Sequence, residues 1–169
     1  MAFFRVLFFA AFCLLAHQPV STVSFAQDQA DWQALNPITE FSPLEVVKAD
    51  GTVLSFDVEI RDDYQGRAMG MMYRPSLDPD KGMIFLFQRP GRQGFWMKNC
   101  VIPLDMLFVR SNGRIANIIA NAPPGTEESR RSQGRVIAVL ELAGGRAEEL
   151  GIVPGDIVRH AGLGNLTVD

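Results

Sequence analysis

The stretch from Gly94 to Phe108, GFWMKNCVIPLDMLF, sets three polar side chains in strongly apolar sequence. They are Lys98, Asn99 and Asp105. Burying a charge without a partner costs several kcal/mol, so each must be paired or held at a rim. Arg67 and Arg74, from the run QGRAMGMMYR, are the candidate partners. Two arrangements satisfy that requirement. In one, Arg67, Arg74, Lys98 and Asn99 line a pocket for an anionic small molecule or polymer, Asp105 orients them and Trp96 is an apolar wall. In the other, the same groups form an internal salt-bridge network that fixes a helix against a sheet.

Other chemistry has less material. Asp105 and Glu141 are a candidate acid pair, which would make the protein a hydrolase. Met69, Met71, Met72, Met83, Met97 and Met106 are candidate thioether ligands for Cu(I), with Trp96 to stack on the cation. Methionine also fills irregular gaps in small cores, and no second motif supports a metal. Cys100 has Lys98 two residues away, on the same face if the stretch is a strand. Ser129 and Ser132 have no candidate base nearby. The expectation is therefore a non-catalytic binding module, with no cofactor and no metal site implied.

The chain around these residues is not uniform. It has 169 residues, 47% hydrophobic and 21% charged, and a net charge of -3. An acidic balance argues against a nucleic-acid partner. Arg5 precedes an apolar run from Val6 to Ala16, and Ser24-Phe25-Ala26 ends the segment with small residues where a signal peptidase reads. That run is far shorter than the roughly 20 residues of a membrane span. Residues 1–26 therefore read as a signal peptide, and the expected location is periplasmic or secreted, with no stable membrane span after cleavage. Cleavage removes Cys13 and His17, leaving Cys100 unpaired and His160 as the remaining histidine. Oligomeric state is not legible.

Residues 27–43 read as a polar spacer, tethered by Trp32 and Phe41, and 161–169 as a C-terminal tail. Residues 44–160 read as the domain. Leu54, Phe56, Val58 and Ile60 alternate with polar residues as in a half-buried strand, preceded by an Asp50-Gly51 turn. Met83–Phe87 reads as a buried strand. Strands at 105–110 and 114–120 flank Ser111-Asn112-Gly113 as a hairpin. Further strands fall at 135–142 and 157–160. A helix is expected over 63–72 with Asp62 as its cap, and another around Glu148-Glu149 stopped by Gly151. Pro154-Gly155 makes a turn whose backbone Asp156 satisfies. The fold expected is mainly β: a compact antiparallel β-barrel or sandwich with one or two short helices.

The order of motifs is itself distinctive. Arg67-(x)2-Gly70-Met71-Met72-Tyr73-Arg74 is followed by Gly82–Phe87, by Phe95-Trp96-Met97-Lys98-Asn99, and by Ile102-Pro103-Leu104-Asp105-Met106. Val139-Leu140-Glu141-Leu142 and Gly155-Asp156 complete it. This series resembles the bacterial and archaeal domain of unknown function 192. Cys100 stands where that pattern commonly carries Thr, and Gln65-Gly66-Arg67 where it usually carries Glu-Arg, so an acidic partner there is missing or displaced. The resemblance implies a compact, mainly β domain, often exported, and no established activity.

Overall fold

The computed structural model describes residues 32–166. The segment read as a signal peptide lies outside them. Nine strands run in chain order: β1 (Phe41–Val47), β2 (Val53–Arg61), β3 (Lys81–Gly91), β4 (Gly94–Phe95), β5 (Leu104–Val109), β6 (Ile115–Ala122), β7 (Arg130–Arg131), β8 (Val136–Ala143) and β9 (Ile157–His160). Helix α1 spans Tyr64–Met69 and α2 spans Arg146–Glu149, with a 3-10 turn at Ala161–Leu163. The protein is mainly β, as its alternating pattern predicts.

Seven strands form one curled sheet in the order β6-β5-β8-β3-β2-β1-β9. Its two edges meet at one end. Arg114 bridges Ile157, Val158 N–H donates to the Gly113 carbonyl at 2.8 Å, and Ile115 N–H donates to the Asp156 carbonyl at 2.9 Å. Gly113 is required for this closure. It has φ +79°, and a Cβ there would lie 2.9 Å from the Val158 carbonyl oxygen. The sheet is mixed, which corrects the all-antiparallel expectation. β2 and β3 pair parallel. A parallel pair cannot be joined by a hairpin, so the chain crosses over through residues 62–80, where α1 sits.

α1 is shorter than expected and capped one residue later. Asp63, not Asp62, accepts the Gly66 N–H at 2.8 Å. The Asp62 carbonyl instead receives the Arg67 guanidinium. Gly70, at φ +50°, ends the helix before Met71, so the chain can turn inward and bury Met71 and Arg74. The packed chain also reaches back into the segment read as a spacer. β1 begins at Phe41, and buried Asn36 donates to the Gly70 and Met72 carbonyls at 2.9 and 2.8 Å. Lys81 lies 4.7 Å over the Phe41 ring.

Strands β5 and β8, and β3 as far as Phe85, are buried on both faces. The inner face joins a core that draws on all seven strands, with Leu44, Phe56, Ile84, Leu107, Leu140 and Val158 among its members. The outer face joins a second core of Met71, Met83, Phe85, Met97, Met106 and Phe108, roofed by the segments around Met71 and Met97. β5, LDMLFV, is consequently buried at every position, and its apolar run is unbroken except at Asp105.

Asp105 belongs to the inner face and fastens three backbone segments. Its Oδ1 accepts the N–H groups of Asn121 at 2.6 Å and Gly145 at 2.9 Å, and its Oδ2 accepts that of Ala147 at 2.7 Å. This ties the end of β6 to the start of α2. Asp156 acts similarly, accepting from Ala49 and Val153 at 3.2 and 2.9 Å. Replacing Asp105 by Ala strands one buried and two part-buried donors. Asp105→Ala is expected to lose about 3 kcal/mol or more in urea unfolding at pH 7, since hydrogen bonds to a charged group contribute about 1.5–3 kcal/mol each. A loss below about 1 kcal/mol would show that the three bonds are not needed.

Candidate functional site

Strand register decides which acids can meet. β8 lies between β3 and β5, with Glu141 opposite Met83 on one side and Met106 on the other. Directly opposed residues share a face, so Glu141 points into the outer layer. Asp105 is opposite Leu142, on the inner face. The two carboxylates therefore point away from each other across the sheet, and the acid pair expected from the sequence does not form.

Glu141 is instead the floor of a solvent-open pocket of about 290 Å³. Its walls are Met71 and Phe85 from the second core, Phe95 from β4, and Ala68 and Arg67 from α1, with Trp96 at the mouth. Phe95 packs edge-on against Phe85, with centroids 4.9 Å apart. Glu141 is 4% exposed, and its Oε2 has no hydrogen-bond partner among the described residues. Burial without a compensating cation pushes its pKa up to about 8, so it carries a proton at neutral pH. Cys100 lines the same pocket. Burial, and then the Glu141 charge, push its thiol up to about 12, which is the reverse of an activated nucleophile.

The six side chains expected to form one site are dispersed. Arg67 and Trp96 reach the pocket. Arg67 stays beside it by donating to the Leu86 carbonyl at 3.1 Å and lying 5.4 Å over the Phe87 ring. Arg74 faces elsewhere. It is buried against Glu59, which also takes Arg61 at 3.1 Å and the Thr39 N–H at 2.8 Å. Trp32 lies 5.9 Å from the Arg74 guanidinium. Burial alone would raise the Glu59 pKa, but the Arg74 hydrogen bond, the Thr39 N–H and both guanidinium charges outweigh it and hold it below its ordinary value. Arg74 is thus paired with Glu59, which lies outside the six residues expected to form one site.

Lys98 pairs with Glu127 at 3.3 Å near the surface and lies 5.4 Å over Trp96. It sits in a turn, not a strand: Cys100 N–H donates back to the Met97 carbonyl at 3.1 Å. Lys98 and Cys100 are thus not partners on one strand face. Asn99 adopts φ +58°, a conformation Asn tolerates, and clasps Tyr73 twice. Its carbonyl accepts the Tyr73 N–H at 2.8 Å and its side-chain N–H donates to the Tyr73 hydroxyl at 2.9 Å. This clasp holds the roof of the second core. Met71, Met83, Met97 and Met106 are core packing, and among the described residues no cluster of His, Cys, Asp or Glu could hold a metal ion.

Glu141, which the sequence offers as half of an acid pair, is a lone acid in the apolar run VIAVLELA. Arg92 and Arg131, which no motif singles out, belong to the segments RPGRQG and SRRSQGR, unusually basic for an acidic chain. Arg92, Gln93, Gly94, Ser129, Arg131 and Ser132 line a second hollow of about 210 Å³.

Fold and site together define a small, mainly β domain built on a curled half-barrel sheet, with an outer pocket over a buried carboxyl group. The family model described as DUF192, Uncharacterized ACR, matches residues 45–160, and the chain belongs to that family. A crystal structure from Sinorhizobium meliloti, described as a candidate transcription regulator, is 38% identical with a TM-score of 0.71, covering 74% of this chain and 98% of that one. Another, of a protein of unknown function from Novosphingobium aromaticivorans, is 42% identical with a TM-score of 0.68, covering 70% of this chain and 84% of that one. No curated protein matches the chain. Among the described residues no helix is long and apolar enough to cross a membrane.

Arg74→Ala leaves the buried Glu59 short of its main partner and is expected to cost about 3–5 kcal/mol in urea unfolding at pH 7. The loss should shrink in acid, as Glu59 takes up a proton below its ordinary 4.5. Glu141 has the opposite sign. Its unfolded carboxyl titrates near 4.5 and its folded one near 8, so the folded state holds the extra proton between them and stability falls as pH rises through that window. The melting temperature of Glu141→Gln relative to wild type should therefore climb from about pH 5 and level off above about 8. A flat difference across that range would place the group outside a desolvated site.

Proposed function

We propose that the domain is an exported, non-catalytic binding module that holds a small molecule in the outer pocket. The ligand's apolar body lies against Met71, Phe85 and Phe95, and an acceptor oxygen faces Glu141. One observation carries this reading: Glu141 Oε2 is buried and partnerless at the floor of a pocket that opens to solvent. A protonated carboxyl group is a donor, and a buried donor needs an acceptor. The described residues supply none to Oε2, so the ligand does. A pocket with mostly apolar walls and few convergent polar groups is the usual form of a small-molecule site. An anionic group on the ligand is met by cations at the rim. Export to the periplasm or beyond rests on the tripartite pattern of residues 1–26.

A second reading has one observation in its favour. A carboxyl group poised near 8 is suited to general-acid chemistry, so Glu141 would protonate a leaving group in a hydrolase. Asp105 has no part in that reaction, since both its oxygens are committed to backbone N–H groups. Turnover of ester, phosphate or glycoside substrates that disappears in Glu141→Gln would favour it over the binding module.

The binding reading is tested with 2-decanone, whose one polar atom is an acceptor. Affinity should be steady to about pH 7 and fall above about 8, as Glu141 loses the proton it donates. Ala68→Trp, which fills the pocket mouth from an exposed helix position, should abolish binding without changing the melting temperature. Glu141→Gln should remove the pH dependence. Affinity that is flat to pH 9 and indifferent to Ala68→Trp would sink the proposal.

A further inference from the structure

The outer pocket and the second hollow share Gln93 and Gly94 as a common wall. At Gly94 that wall is bare backbone, and a Cβ there would lie 2.8 Å from the Ser129 hydroxyl. The β4–β7 register then places two arginines across from it, Arg131 opposite Gly94 and Arg130 opposite Phe95. Alternation sends their side chains to opposite sides. Arg130 turns inward, donating to the Glu128 carbonyl at 2.9 Å and the Thr126 hydroxyl at 2.7 Å. Arg131 turns outward into the hollow, beside Arg92.

The hollow's lining carries two guanidinium groups, two serines and a glutamine amide, and no carboxylate. Neither Arg92 nor Arg131 donates a side-chain hydrogen bond or forms an ion pair among the described residues. Most other described cations are engaged: Arg61 and Arg74 with Glu59, Lys81 with Asp78, Lys98 with Glu127, Arg146 with Asp80. Two uncommitted planar forks beside hydroxyl groups suit a phosphate or carboxylate.

We infer that the ligand is an anionic amphiphile, with its apolar portion and the acceptor oxygen for Glu141 in the outer pocket and its phosphate or carboxylate beyond Gly94 on Arg92 and Arg131. This rests on the pocket reading above and adds the class of molecule. It also moves the anion from the cations that the sequence motifs suggested to two that they did not.

The test uses protein purified from cells expressing the full chain, titrated calorimetrically with decyl phosphate, decanoate, decan-1-ol and inorganic phosphate below micellar concentrations. At least one of the two anionic amphiphiles should bind about tenfold or more tightly than decan-1-ol, given the strength of charge-assisted hydrogen bonds. The tighter of the two names the head group. That advantage should weaken with added salt. It should vanish in the Arg92→Ala/Arg131→Ala double variant, which keeps wild-type affinity for decan-1-ol and, both sites being exposed, the wild-type melting temperature. Unchanged affinity of the double variant for both anions would overturn the inference, as would inorganic phosphate binding as tightly as decyl phosphate. Should decan-1-ol bind while the anions gain nothing, only the inference falls. Should decan-1-ol fail to bind at all, the pocket reading falls with it.

Discussion

Everything in this molecule depends on a sheet centre with no solvent face, made of β5, β8 and β3 as far as Phe85. β3, β5 and β8 carry the barrel core on one side and the methionine-rich core on the other. A sheet with one wet face tolerates a misplaced polar residue there, but these strands do not. Each polar side chain on them must be answered by a specific group. A shift of one residue in register would exchange the two cores along a whole strand. The alternation of Asp105, Leu107 and Val109 with Leu104, Met106 and Phe108 is therefore the partition of the protein into its two interiors.

The two acids on these strands meet that demand in opposite ways. Asp105 is surrounded by backbone donors at 2.6, 2.7 and 2.9 Å and serves as a clasp. Glu141 has a lone Oε2 and keeps its proton. A carboxyl group held uncharged in an apolar cavity weakens the fold at neutral pH, because the unfolded chain would release that proton. Glu141 is thus the acid on these strands whose Oε2 no described residue answers.

The charges outside the strands sort by the same logic. Arg74, deep in the fold, is matched by Glu59 and helps lock the chain from Asn36 onward to the crossover. Lys98, near the surface, makes a pair of the kind that contributes little. Arg92 and Arg131 are solvated and unmatched, so nothing in the fold accounts for their placement around one hollow. Burial, rather than charge alone, separates the cations that build the structure from those left to meet something else.

Much of the architecture is legible in the residues themselves. Period-two alternation over Leu54–Ile60 marks β2, Ser111-Asn112-Gly113 marks the β5–β6 hairpin, and Gly155-Asp156 marks the turn before β9, because strand faces and tight turns follow from local sterics and hydrogen bonding. The order of motifs was also sufficient to bring out the family resemblance. The parallel pairing of β2 with β3 was not legible, since it depends on where a crossover lands. Nor was the site. Gly94–Phe108 gathers its polar residues in sequence, yet Lys98, Asn99 and Asp105 point to the surface, the roof and the inner core. Glu141, Phe85, Gly94 and Arg131 are distant in sequence and meet only because β8 runs beside β3 and β7 beside β4. Local chemistry determines which residues cannot be left unpartnered. Only the tertiary pairing of strands decides which partners they find, because the facing direction of a side chain is set by the register of its strand against its neighbours.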